Sequence, residues 1–119
     1  MSQENTIDYA GEFYFILPQA GLNAANMLRE IHSQKPIDRV FSRDPGYPAV
    51  ETFCENHKIE YREIGSIYDI LKRDNIDISK EHSRLAYISK NEDQDFIEDV
   101  ADELSKRRFY VQTRKAYTL

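Results

Sequence analysis

Residues Asp38–Ile64 constrain the fold more than any other stretch of this 119-residue chain. They read Asp-Arg-Val-Phe-Ser-Arg, then Asp-Pro-Gly-Tyr-Pro, then Ala-Val-Glu-Thr-Phe-Cys-Glu-Asn-His-Lys, then Ile-Glu-Tyr-Arg-Glu-Ile. Asp44-Pro45-Gly46 is turn chemistry. Pro48 suits the first turn of a helix, where its missing N–H costs nothing. Val50, Phe53, Cys54 and His57 then fall at helical spacing. The unit is therefore strand, turn, helix, strand, and strands joined through helices pair in parallel.

The same pattern extends to both sides. Glu12–Leu17 is a nearly continuous apolar run, as expected of a strand buried on both faces. Pro18 and Gly21 break it, and Leu22, Ala25, Leu28 and Ile31 line one face of a helix that ends before Pro36. Ile59–Ile64 alternates apolar and charged residues, which fits a sheet edge or one wet face. Ser66-Ile67-Tyr68-Asp69 reads as a capping box opening a short helix to about Asp74. Arg84–Ser89 reads as a fourth strand. Asn91 or Asp93 caps a helix with the stripe Phe96, Ile97, Val100, Ala101 and Leu104. Phe109–Tyr117 is a fifth strand, with Tyr110, Gln112, Arg114 and Ala116 on one face and Phe109, Val111, Thr113 and Lys115 on the other. The expected architecture is α/β: a single Rossmann-like three-layer domain over residues 12–119, with a flexible lead-in at residues 1–11. Its five-stranded, mostly parallel sheet is expected in the order 3-2-1-4-5.

Composition limits the partners. The net charge of −5 argues against general nucleic-acid binding. No apolar run approaches the roughly 20 residues that span a bilayer, and Met1–Ile7 has neither the basic nor the apolar region of a signal peptide. A lone cysteine, Cys54, is compatible with a reducing cytoplasm, which is the expected location. Charge is segregated near the C-terminus. Glu92–Glu103 carries only acids, and Lys106–Lys115 only bases. Such a helix has dipole-matched ends, and its basic end also offers an edge to an anionic partner.

In open α/β sheets ligands sit outside the carboxyl ends of the strands, where strand order reverses. In the expected order that point lies between strands 1 and 4, served by the loops Pro18–Asn23 and Ser89–Asp93, with Ser42–Tyr47 alongside. Each loop leads to a helix N-terminus whose free N–H groups attract anions. Gly21 with Asn23 can cradle one phosphate or carboxylate, although the loop has neither the three glycines of a dinucleotide fingerprint nor the Gly-Lys-Ser/Thr of a P-loop. Ser42 and Arg43 end the second strand, where Arg43 either forks an anion or pairs with Asp44 or a nearby Glu. Tyr47, beside Gly46, can stack on a base. The ligand-binding candidates are thus Gly21, Asn23, Ser42, Arg43 and Tyr47.

No catalytic residue is assigned. Asp44, Asp93 and His82 are the only acids or bases expected to reach these loops as catalysts, and no spacing recommends them, so the reading leans away from an enzyme. His32, His57 and His82 lack metal-ligand spacing, and neither metal nor cofactor is expected. Cys54 lies on an apolar stripe and reads as a core thiol. The strand tyrosines read as packing.

Strand 1, the Gly21-Leu22-Asn23 turn, the first helix, the Ser42-Arg43 strand end and the helix leading to Lys58-Ile59 together resemble the N-terminal half of folate-dependent formyltransferases, the glycinamide ribonucleotide type most of all. The resemblance spans about Phe13–Ile64. It implies a phosphate held by the first loop and the second strand end. The family's Gly-x-Gly-Ser/Thr-Asn is reduced here to Gly21-x-Asn23, and its catalytic Asn, His and Asp have no counterpart. The resulting expectation is a non-catalytic module for a phosphorylated or nucleotide-like small molecule. The alternatives are an interaction module that forms homo-oligomers through its edge strands Ile59–Ile64 and Phe109–Tyr117, and a small enzyme of unknown reaction.

Overall fold

In the computed structural model the five expected strands form one sheet in which every pairing is parallel. The structure describes residues 11–18, 21–43, 46–66, 83–90 and 94–115. In chain order the elements are β1 (Gly11–Leu17), α1 (Gly21–Gln34), β2 (Arg39–Arg43), α2 (Pro48–His57), β3 (Glu60–Ile64), β4 (Ser83–Ile88), α3 (Gln94–Lys106) and β5 (Phe109–Lys115). The expected lead-in, the short helix after Ser66 and the candidate caps Asn91 and Asp93 lie outside the described residues.

The strand order is β3-β2-β4-β1-β5, not 3-2-1-4-5. The edge strand β3 and its neighbour β2 are as expected, as is β5 at the other edge, but β1 and β4 exchange places. β4 lies between β1 and β2, so Tyr14, Ala86 and Val40 form one row across the sheet. The chain leaving β1 therefore passes over β4 to reach β2. Ala24 and Ala25 of α1 and Ala86 of β4 belong to the same buried cluster, and their small side chains let the helix lie close to that strand.

Alternation along the strands divides the core into two layers. On the first face, Tyr14, Ile16, Val40, Ala86 and Ile88 pack with Leu28 and Ile31 of α1 and Val50, Phe53 and Cys54 of α2. On the second, Phe13, Phe15, Phe41, Leu85 and Tyr87 pack with Ile97, Val100 and Leu104 of α3. β4 is buried at all six residues, as befits the central strand. Its counterpart at the edge, β3, exposes Glu60 and Glu63, in keeping with its alternating sequence. Both helix ends that lead directly into a strand turn through left-handed residues, Lys58 (φ 58°) and Arg108 (φ 69°), without glycine. After α2 the chain closes with an Ile59 N–H to Cys54 carbonyl bond of 2.8 Å, the bonding of a helix C-cap. Among the described residues no helix is long and apolar enough to cross a membrane.

Candidate functional site

The revised order keeps the expected crevice between β1 and β4 and adds a second between β4 and β2. β1 and β2 lead into α1 and α2 on the first face, whereas β4, which lies between them, leads into α3 on the second. Two adjacent strands whose connections leave to opposite faces open a gap at their carboxyl ends. β4 has such a gap on each side, and the one beside β2 lies at Ser42–Arg43 and Ile88–Ser89. The Gly21 turn, at the end of β1, borders the other gap. With neighbouring strands about 4.8 Å apart, β1 and β2 are separated by the full width of β4.

At this crest the side chains converge on Tyr61. Tyr61 sits in β3 with its side chain on the first face, packed against the α1–α2 cluster. Its hydroxyl lies 2.7 Å from the Ser42 hydroxyl and accepts the Tyr47 backbone N–H at 3.2 Å. Ser42 is wholly buried. Tyr47 is the N-cap of α2, in extended conformation and with no side-chain cap bond. Its own phenol faces the backbone amide of Lys90 just beyond β4. A chain of polar groups therefore runs Ser42, Tyr61, Tyr47, Lys90 and ties the ends of β2 and β4 to the second residue of β3. Burial raises the pKa of both phenols; the charges of Glu63 and Glu51 add to the rise at Tyr61. Both remain protonated donors at neutral pH.

Gly46 fits into this corner for space. A Cβ there would overlap the Glu63 carboxylate and the Tyr61 hydroxyl. The Asp44 and Pro45 positions of the same turn lie outside the described residues.

Ser42 and Arg43 do not face the same way. Successive residues of a strand point to opposite faces, and Ser42 follows Val40 onto the α1–α2 side while Arg43 follows Phe41 onto the α3 side. Arg43 is exposed at the strand end. The crest thus has a tyrosine ring on one flank and a guanidinium on the other. Gly21 and the half-buried Asn23 open α1 at the end of β1. Of the five expected residues, then, Ser42 and Tyr47 are joined through Tyr61, Arg43 stands across the crest, and Gly21 and Asn23 lie beyond β4. Tyr61 was missed because a tyrosine in an alternating edge strand has the same sequence signature whether it packs or bonds.

A second polar centre lies at the opposite end of the sheet, where Arg84 is buried. Its Nε donates to Glu12 at 2.9 Å, its Nη2 to the Tyr14 hydroxyl at 2.7 Å and its Nη1 to the Lys35 carbonyl. The Tyr14 hydroxyl donates to Glu12 at 2.7 Å, and the Arg84 backbone N–H donates to Asp38 at 2.7 Å. Burial alone would raise the Glu12 carboxyl, but the bonds from Tyr14 and Arg84 and the charges of Arg84 and Lys35 outweigh it and hold it below its ordinary range. Among the described residues every partner of this buried guanidinium comes from the fold itself, so the centre ties β1, β4 and the α1–β2 connection together.

His32 and His57 meet where α1 and α2 end, with ring centroids 5.0 Å apart. The His32 Nδ1 accepts the Ile37 N–H at 3.0 Å, which leaves Nε2 as the protonated nitrogen of the neutral ring. Burial, and then the charges of His57 and Arg84, lower its pKa. A helix C-terminus favours a cation, but desolvation wins here. Cys54 is buried and its thiol is pushed up to about 12, the signature of a core thiol. Among the described residues no group of three or more His, Cys, Asp or Glu is placed to hold a metal ion. The candidate acids and bases Asp44, His82 and Asp93 lie outside the described residues. Compared with protein-family models, with curated proteins and with solved structures, the chain matches none.

Proposed function

We propose that this chain is a small non-catalytic α/β module that holds a phosphorylated or nucleotide-like small molecule at the carboxyl ends of β2 and β4. The observation that carries this reading is the polar chain Ser42–Tyr61–Tyr47–Lys90 at a point where two adjacent strands send their connections to opposite faces. Ser42 and Tyr61 satisfy one another, so their part is to fix the turn that presents Arg43 and Tyr47. Arg43 supplies a forked cation for a phosphate or carboxylate. Tyr47 supplies a ring face for a base. Gly21 and Asn23, at the start of α1, offer amides to a ligand long enough to extend across β4. The resemblance to the phosphate-binding half of folate-dependent formyltransferases enters through these same residues. A cytoplasmic setting belongs to the same reading, since the lone thiol is buried and takes no part in a disulfide.

The test is thermal unfolding of the purified chain against inorganic phosphate and a panel of nucleoside mono-, di- and triphosphates. A ligand that binds only the folded state raises the midpoint by mass action. At least one nucleotide should do so, and Arg43→Ala should remove most of the rise. No rise across the panel would falsify the proposal.

A further inference from the structure

The outer edge of β5 differs from the opposite edge of the sheet. β3 is short and carries Glu60, Arg62 and Glu63 among its five residues, the charges by which edge strands resist further pairing. β5 has seven residues, reads Phe-Tyr-Val-Gln-Thr-Arg-Lys and contains no acid. Among the described residues it pairs only with β1. Tyr110 on this strand is 45% exposed, one of two large exposed apolar side chains in the described structure. Arg114, on the same face, has a buried Nε without a hydrogen-bond partner. Beside the strand, on the second face, runs an open groove of about 580 Å³ between β5 and α3, lined by Gln94, Ile97, Glu98, Ala101, Val111 and Thr113.

We propose that this edge pairs with the β5 edge of a second copy, antiparallel about a twofold axis at Gln112, to make a continuous ten-stranded sheet. Closed twofold pairing is the commonest way in which identical chains associate. Gln112 is the middle residue of β5. Centring the axis there places Tyr110 opposite Arg114 of the second copy, Val111 opposite Thr113, and Gln112 opposite itself. An aromatic beside a guanidinium is a favourable cross-strand pair, and no acid–acid pair arises.

The groove carries the same complementarity. α3 returns from the end of β4 to the start of β5, so it runs antiparallel to β5. Glu98 therefore lies at the Thr113 end of the groove, and Arg108, which also lines it, at the Phe109 end. A twofold rotation exchanges these ends. It brings Glu98 of each copy toward Arg108 of the other, and the acidic helix of one copy toward the basic strand of the other. A second copy thus matches the edge in strand register and in charge, which is why it is preferred here over a foreign peptide.

The experiment is sedimentation velocity of the full chain from micromolar to millimolar concentration. A reversible, concentration-dependent dimer is expected. Gln112→Arg, which sets two like charges against each other at the axis, should weaken it at least severalfold without lowering the unfolding midpoint. Gln112→Cys should give a disulfide-linked dimer on mild oxidation, because residue 112 faces its own copy and Cys54 is buried. Glu98→Lys should weaken association, and adding Arg108→Glu should restore it. A monomer at every concentration overturns the proposal. So does a dimer that survives Gln112→Arg and gives no disulfide link in the Gln112→Cys variant, since it must use another surface. The nucleotide panel reads the crest and sedimentation reads the edge, so either proposal can fail without the other.

Discussion

Tyr61 shows how one hydroxyl can hold a corner of this sheet. Its ring packs against the α1–α2 layer, while its oxygen serves the Ser42 hydroxyl and the Tyr47 amide at once. Ser42 has no access to solvent, so losing that oxygen leaves a buried hydroxyl without its partner. An unsatisfied buried polar group costs about 1–3 kcal/mol, more than the bond itself contributes. Tyr61→Phe should therefore destabilise the chain by about 1–3 kcal/mol, read from the urea midpoint at unchanged m-value. Tyr61→Phe with Ser42→Ala should recover part of that loss, because both polar partners are then removed together. If the single variant unfolds at the parental midpoint, the hydroxyl contributes only packing.

At the scale of elements, what the sequence could reveal follows from which forces act locally. The continuous apolar runs of β1 and β4 identify inner strands, and the Glu-Tyr-Arg-Glu alternation of β3 identifies an edge. Burial alone cannot order the inner strands: β1 and β4 are equally apolar, and either can lie beside β2. The order is fixed by contacts between residues distant in sequence, such as the Asp38 N–H to Arg84 carbonyl bond of 2.9 Å and the return bond from the Arg84 N–H to the Asp38 carboxylate. A lone Arg at the start of an apolar strand gives no sign of these partners. For the same reason the Ser42 and Tyr47 positions were legible as a strand end and a turn, while Tyr61, which joins them, was not. Gly11 is a further case. It opens β1 between Ser83 of β4 and Phe109 of β5, and a Cβ there would overlap the Ser83 carbonyl and come within 2.7 Å of the Phe109 ring. Neither neighbour can withdraw cheaply, since one is sheet backbone and the other a buried core ring. Gly11→Ala should cost about 1–3 kcal/mol, seen as a lower denaturation midpoint. A neutral or stabilising result would mean that the start of β1 yields independently of its two neighbours.

For the whole molecule, the shifted groups predict the form of the stability curve against pH. His32 has a folded pKa below its ordinary 6.5, so as pH falls the unfolded chain binds a proton that the folded chain refuses. Its contribution is complete above 6.5 and is lost as pH falls toward the folded value. Glu12, lowered from 4.5, has the same sign in a more acidic window. At the alkaline side the signs are reversed. Cys54 is raised from 9.0 to about 12, and Tyr14, Tyr47 and Tyr61 are raised from 10.0. The unfolded chain ionises first, so stability falls as pH rises through about 9 and beyond. The unfolding midpoint should thus be flat between about pH 7 and 8.5 and fall on both sides in separable steps. His32→Asn isolates the first acidic step. The Asn carbonyl oxygen can replace Nδ1 as acceptor for the Ile37 N–H, but it cannot titrate. Midpoints measured from about pH 4.5 to 7 should slope downward with acid in the parent and become nearly level in the variant, while the fall at still lower pH persists in both. A parental slope that survives His32→Asn unchanged would assign that step to another group and remove His32 as the acid-sensitive contact between α1 and α2.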